Sequence, residues 1–167
     1  PTGMYTCSDG KEIIIEITLI TELTIPEGIT SVSGYGICTN LKKVTMPDTV
    51  KRIEDSAFSG CTNLIDIKIP NSVISIGGSA FSGCTGLTST TIGNGVISIG
   101  DYAFHGCTSL ASVTIGNSVT SIGNDAFYGC TSLTKVNISN IEKWCNIEFY
   151  NHFSNPLYYS EAELYLD

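Results

Sequence analysis

The chain has 167 residues, which on a prior of roughly 150 residues per domain points to one domain and away from a multidomain enzyme. Charged residues make up 14% against 42% hydrophobic, where a typical soluble domain carries about 25% charged, so the surface is polar through Ser, Thr, Asn and Gly. A net charge of -8 repels a phosphate backbone and excludes nucleic acid as the default partner. No apolar run approaches the roughly 18 residues of a membrane span, so no membrane insertion is expected in this segment. The opening Pro1-Thr2-Gly3-Met4 lacks the basic and apolar regions of an export signal, so any such signal is expected outside the sequence.

In chain order, residues 1–19 read as an N-terminal cap or strand, with Cys7-Ser8-Asp9-Gly10-Lys11 looking like a strand running into a turn. Residues 20–140 are a repeat. Cys38, Cys61, Cys84, Cys107 and Cys130 are spaced by 23 residues, and Leu41, Leu64, Leu87, Leu110 and Leu133 keep the same step. Phe58, Phe81, Phe104 and Phe127 each follow an Ala in the same register, and Val50 and Ile53 recur down the chain in the same way. The first coil is trimmed, with Tyr35 in the Phe position, and Thr90 occupies a strand position that is otherwise apolar. Self-similarity at a fixed short period is the signature of a solenoid, because one unit cannot bury its apolar face without its neighbours.

Within a unit, Leu41 to Met46 alternates like a strand with one buried face, and Pro47, Pro70, Gly93 and Gly116 end it. A second apolar pair such as Val73 and Ile76 predicts another brief extended piece. Asp55 to Phe58 is expected to make one helical or 3₁₀ turn with Ala57 and Phe58 pointing inward. Register fails after Ile138, where Glu142 and Cys145 stand in place of Val and Ile, so residues 141–167 read as an aromatic-rich C-terminal cap.

The Cys row admits three readings: buried thiols acting as small apolar plugs, bridges between coils, or a metal site. Parallel identical rows do not converge as zinc ligands must, and an odd row suits plugs better than pairs. The Phe row reads as an internal stack, with an aromatic ligand ribbon as the other possibility. His105 shares its slot with Ser59, Ser82 and Tyr128, which predicts solvent exposure, and His152 lies in the tail without a patterned partner. No nucleophile, base and orienting group fall at a telling spacing, so no catalytic, cofactor or metal residues are assigned and no enzyme activity is expected. The acidic ends, including Glu22, Glu27, Glu142 and Glu163, read as polar caps against end-to-end stacking, with docking of a cationic partner as the alternative. Trp144, Phe149, Tyr150, Phe153, Tyr158, Tyr159 and Tyr165 read as a cap over the last coil, or as a sugar-binding cluster.

The order L-x-x-V-x-I-P, V-x-x-I, A-F-x-G-C-T, as in Cys61-Thr62-Asn63-Leu64, Ile67-Lys68-Ile69-Pro70, Val73-Ile74-Ser75-Ile76-Gly77 and Ala80-Phe81-Ser82-Gly83-Cys84, resembles the BspA-like leucine-rich repeats of bacterial surface proteins. The resemblance implies a leucine-rich-repeat solenoid, a right-handed, β-rich α/β horseshoe of five to six 23-residue coils with capping segments at both ends. It also implies an extracellular or cell-surface location and a non-catalytic, monomeric binding or adhesion module. The partner would be a protein or peptide on a host or neighbouring cell. A structural spacer within a longer surface array, or a glycan-binding module using the C-terminal aromatics, are the alternatives.

Alternation along the strands also places a candidate binding surface. If Leu41, Val44 and Met46 face inward, Lys43 and Thr45 face solvent. Stacking then gives one ladder of Lys43, Asp66, Ser89, Ser112 and Lys135 and a second of Thr45, Lys68, Thr91, Thr114 and Asn137, expected on the concave side.

Overall fold

The computed structural model describes residues 2–6, 12–16, 20–36, 38–158 and 161–166. In chain order the strands are β1 Thr2–Thr6, β2 Glu12–Glu16, β3 Glu22–Thr24, β4 Ser31–Val32, β5 Lys43–Thr45, β6 Arg52–Ile53, β7 Asp66–Ile69 and β8 Ser75–Ile76. There follow β9 Ser89–Ile92, β10 Ser98–Ile99, β11 Ser112–Thr114, β12 Ser121–Ile122, β13 Lys135–Ile138, helix α1 Ile141–Cys145, β14 Glu148–Phe149, a 3₁₀ turn His152–Ser154, and β15 Glu163–Leu166. Strands β1 and β2 pair antiparallel, Thr2 opposite Glu16 and Thr6 opposite Glu12. The turn expected at Cys7 to Lys11 lies outside the described residues, as do Tyr159 and Asp167.

Each coil contributes one longer and one shorter strand. The longer strands stack in parallel as a seven-stranded sheet in the order β15-β13-β11-β9-β7-β5-β3, and the shorter ones as a six-stranded sheet in the order β14-β12-β10-β8-β6-β4. Parallel pairing keeps equivalent residues opposite one another, so Ile67 meets Thr90 and Ile76 meets Ile99. The 23-residue period of the sequence is therefore the register of the sheets, and the architecture is the expected parallel solenoid of about six coils.

The third side of each coil is closed by turns rather than by the expected helical turn. Ser56, Ser79, Tyr102 and Asp125 take left-handed backbone angles, with φ of 56, 55, 59 and 52°, which interrupts any helix. The chain turns twice instead, with Ala57 N–H donating to Glu54 O and Cys61 N–H to Phe58 O. In exchange, alternate N–H groups point along the solenoid: Ser56 donates to Gly78 O at 2.8 Å, Phe58 to Ala80 O at 2.8 Å and Gly60 to Ser82 O at 2.7 Å. This backbone ladder satisfies groups that the turns would otherwise leave unpaired. The glycine of A-F-x-G-C is needed for conformation: Gly83 has φ +71°, while an added Cβ would meet its nearest neighbour at an ordinary 3.9 Å.

The core is filled by the repeated rows. Leu41, Leu64, Leu87 and Leu110, Val50, Val73 and Val96, and Ala57, Ala80 and Ala103 are fully buried. The aromatic row stacks ring on ring, with centroids of Tyr35 and Phe58 at 5.5 Å, Phe58 and Phe81 at 5.5 Å, Phe81 and Phe104 at 5.1 Å, and Phe104 and Phe127 at 5.3 Å. Thr90, the polar exception, is buried, and its Oγ1 donates to Ile67 O of the preceding coil at 3.0 Å. A β-branched shape with its hydroxyl satisfied avoids the cost of an orphaned buried donor.

The Cys row consists of buried free thiols. From Cys61 onward the Sγ reaches back one coil to the carbonyl at the aromatic position: Cys61 to Tyr35 O, Cys84 to Phe58 O, Cys107 to Phe81 O and Cys130 to Phe104 O, all at 3.2 Å. The thiols are thus plugs with a weak donor used. Cys145 in α1 is exposed. In a Cys7→Ser background, a thiol reagent should therefore label Cys145 alone in the folded chain and all six described cysteines after denaturation. Mass spectrometry with a maleimide counts the adducts, and native labelling of several row cysteines would refute their burial.

Where the repeat register fails, the chain keeps both sheets by other means. Asn140 caps α1, its Oδ1 accepting the Lys143 N–H at 2.9 Å, and Trp144 is buried beneath the helix. The segment then returns through β14 to the short-strand sheet and through β15 to the long-strand sheet. Asn151 caps the intervening 3₁₀ turn, accepting from Ser154 N–H at 2.9 Å while Ser154 Oγ accepts from Asn151 N–H at 3.0 Å.

Candidate functional site

The long-strand sheet aligns the residues of the two expected ladders. Lys43 lies opposite Asp66, Asp66 opposite Ser89, Ser89 opposite Ser112, and Ser112 opposite Lys135. Lys68, Thr91, Thr114 and Asn137 align the same way, and Thr45 sits opposite Thr24 of β3. Lys43, Thr45, Asp66, Lys68, Thr91 and Lys135 are exposed, while Ser89, Ser112, Thr114 and Asn137 are half-buried. The strand itself is shorter than expected, Lys43–Thr45, because the Leu41 N–H is used in a turn to Cys38 O. Met46 is only half-buried.

Strand β15 adds a position to each ladder that pattern reading did not supply. Glu163 lies opposite Lys135 and Tyr165 opposite Asn137. The Lys135 Nζ sits 4.5 Å from the Tyr165 ring centroid, a cation–π contact. Tyr165 Oη donates to Glu163 Oε2 at 2.9 Å, and the nearby carboxylate pushes its phenol above the usual range. The signal was present in Glu163-Leu164-Tyr165-Leu166, which alternates like Lys135-Val136-Asn137-Ile138, but its distance from that strand does not follow the repeat.

Small side chains in the middle of the face are tied to one another. Ser89 Oγ donates to Asp66 Oδ1 at 3.1 Å, and Asn137 Nδ2 to Thr114 Oγ1 at 3.4 Å. Toward the first coils the face deepens into a groove of about 530 Å³. Val44, Met46, Ile65 and Pro70 give it apolar walls, and Lys42, Lys43 and Lys68 gather beside Asp48 and Asp66. Among the described residues the one ion pair is Arg52 with Glu54, at 3.3 Å and away from this groove. Three lysines against two aspartates around an apolar slot leave a local balance less negative than that of the chain as a whole, whose net charge is -8.

The other candidate residues fall elsewhere. His105 is not the exposed side chain its slot suggested: it is half-buried, 5.8 Å from the Tyr102 ring and 5.5 Å from the Tyr128 ring. The C-terminal aromatics divide. Trp144 is buried, 5.4 Å from the Phe149 ring, Tyr165 joins the long-strand face, and Tyr150 and Tyr158 are exposed. Among the described residues no group of three or more His, Cys, Asp or Glu is placed to hold a metal ion, and no helix is long and apolar enough to cross a membrane.

Solved structures share this architecture. The Treponema pallidum leucine-rich repeat protein superposes with a TM-score of 0.72 at 28% identity, over 81% of this chain and 68% of that one. The pneumococcal vaccine antigen PcpA gives 0.60 at 26% identity, over 81% of this chain and 34% of that protein. A leucine-rich repeat protein from Bacteroides capillosus shares the fold, with a TM-score of 0.52 and 24% identity over 100% of this chain and 94% of its own. No curated protein matches the chain. The BspA type leucine-rich repeat region matches residues 28–155 in six copies, and the chain therefore belongs to the BspA-type leucine-rich repeat family.

Proposed function

We propose that the chain is a non-catalytic binding module displayed on a bacterial surface, and that the long-strand face takes an extended stretch of a protein or peptide partner. Family membership and the likeness to a pneumococcal vaccine antigen support the setting. One observation carries the binding reading: two solvent-facing ladders in register run into a lysine-rimmed groove of about 530 Å³ at Lys43 and Lys68. An extended chain laid across the coils meets hydroxyl and amide groups at each step, and an acidic residue flanked by an apolar one would anchor in the groove. Small polar side chains supply few energetic anchors, so one module binds modestly and gains from repetition.

The test uses a phage-displayed library of random twelve-residue peptides selected on the whole chain. Selected peptides should carry Asp or Glu, and Lys68→Glu should weaken them at least tenfold, about 1.4 kcal/mol. Thr91→Glu and Thr114→Glu should also weaken binding, whereas Thr85→Glu, Thr108→Glu and Thr131→Glu on exposed turns should not. Loss confined to the turn variants places the surface elsewhere and overturns the assignment.

A further inference from the structure

A second surface lies at the corner where each coil turns back from its short strand. Rings touch there in sequence across three coils. Tyr102 meets His105 at 5.8 Å, His105 stacks on Tyr128 at 5.5 Å, Tyr128 meets Phe153 edge-on at 5.0 Å, and Phe153 meets Tyr158 at 6.3 Å. His152 stacks on Tyr158 at 4.8 Å. Beside this ridge a groove of about 470 Å³ is lined by Phe149, Tyr150, Asn151, His152, Asn155 and Tyr158.

The fold does not require these rings. At the positions of His105 and Tyr128 the earlier coils hold Ser59 and Ser82, and at that of Tyr102 they hold Ser56 and Ser79, with the same turn and the same backbone ladder. Tyr102 moreover takes a left-handed φ of 59°, a conformation that bulky residues adopt at a cost. Nor are the rings sealing the core. Tyr102 is 43% exposed, Tyr128 39%, Tyr158 56% and Tyr150 60%. A costly backbone and open rings at a place where serine suffices are what selection for a ligand leaves behind.

We propose that this ridge and groove bind a neutral oligosaccharide of hexose or N-acetylhexosamine units. The C–H face of a pyranose ring is weakly positive and flat, and it packs on the negative face of an aromatic ring. Hydroxyls around its equator meet the Asn155 amide nitrogen and the imidazole of His152, while the Asn151 amide, held by Asp125 and Ser154, fixes the turn that carries them. Charge rules out acidic sugars and phosphates, since residues 69–134 and 144–167 contain no Lys or Arg, and Asp101 and Asp125 flank the ridge. A protein partner would use the same tyrosines as anchors but add Trp or Arg beside them; neither lines this groove, and the sugar titration below separates the two. The site is on a different side of the coil from the lysine-rimmed groove and uses none of its residues.

Titration calorimetry of the whole chain against cellohexaose, chitohexaose and mannohexaose, with hexagalacturonate as the acidic control, tests this. Saturable binding to at least one neutral sugar and none to hexagalacturonate is expected. Tyr128→Ser and Tyr158→Ser should each weaken that binding tenfold or more. Tyr102→Ser, which installs the residue of the earlier coils, should weaken binding while leaving the melting temperature equal or higher. Lys68→Glu should bind the sugar as the unaltered chain does. Absence of binding to all three neutral sugars at millimolar concentration overturns the proposal, as does tighter binding of hexagalacturonate or full affinity in both serine variants of Tyr128 and Tyr158.

Discussion

Replacing Phe81 by Ala is expected to destabilise the chain by about 3–5 kcal/mol, the range for emptying a buried aromatic site. Phe81 has no exposed surface and lies between Phe58 at 5.5 Å and Phe104 at 5.1 Å. The loss therefore combines transfer of the ring, the cavity it leaves, and contacts to two stacked neighbours. Parallel stacking limits repair, because the backbone ladder fixes the spacing of the coils and the neighbouring rings cannot close the gap. Urea denaturation followed by circular dichroism measures it. A loss below about 1 kcal/mol would mean that the ring row contributes little beyond filling space, against the range expected for such a site.

Alkali should unfold the chain through its thiols. Burial pushes Cys84 up to about 12 from the ordinary 9.0, and Cys38, Cys61 and Cys107 also stand above that value. For Cys38, Cys61 and Cys84 burial is the largest cause, while for Cys107 the hydrogen bond with Cys130 comes first and burial second. Raised values mean that the folded chain holds protons which unfolded thiols release. The stabilisation is therefore complete below pH 9.0 and, for Cys84, is lost as pH climbs from there toward about 12. Each such thiol contributes a slope of about 1 kcal/mol per pH unit inside its window. Urea midpoints taken at pH 8, 9.5 and 10.5, as rough steps across that window, should fall steadily. Cys84→Ala, which removes one titrating group, should show a shallower fall, and parallel slopes in the two chains would sink the explanation.

The repeated part of the fold was legible because its register and its sequence period are the same quantity. Rows such as Phe58, Phe81 and Phe104 can stack only if the coils do, so spacing along the chain became spacing in the sheets. Alternation of Lys43, Val44 and Thr45 likewise identifies the solvent-facing side of the strand, matching its exposed-buried-exposed pattern. The turns were less legible. Asp55 to Phe58 looks helical by composition, yet the left-handed Ser56 follows from the backbone bond it makes to Gly78 in the next coil, a tertiary demand that local propensity does not encode. The aromatic ridge was harder still, since His105 reads as ordinary in its own coil. It gains meaning only when Tyr128, Phe153 and Tyr158 arrive from later coils, two of them in a segment where the period is lost.

The cross-coil hydrogen bonds have a mechanical consequence. Side-chain links such as Thr88 to Ile65, Asn94 to Asn71 and Asn117 to Asn94 all join residues 23 apart, so among the described residues these links tie each coil to its neighbour. Tension applied to the two ends loads these links one coil at a time, like opening a zip, instead of shearing the whole sheet at once. Each released coil of 23 residues would pay out roughly 75 Å, from about 3.3–3.6 Å per extended residue less one strand spacing of about 4.8 Å. A chain pulled between two attached bodies would therefore lengthen in even steps at modest force and rewind when the load is removed.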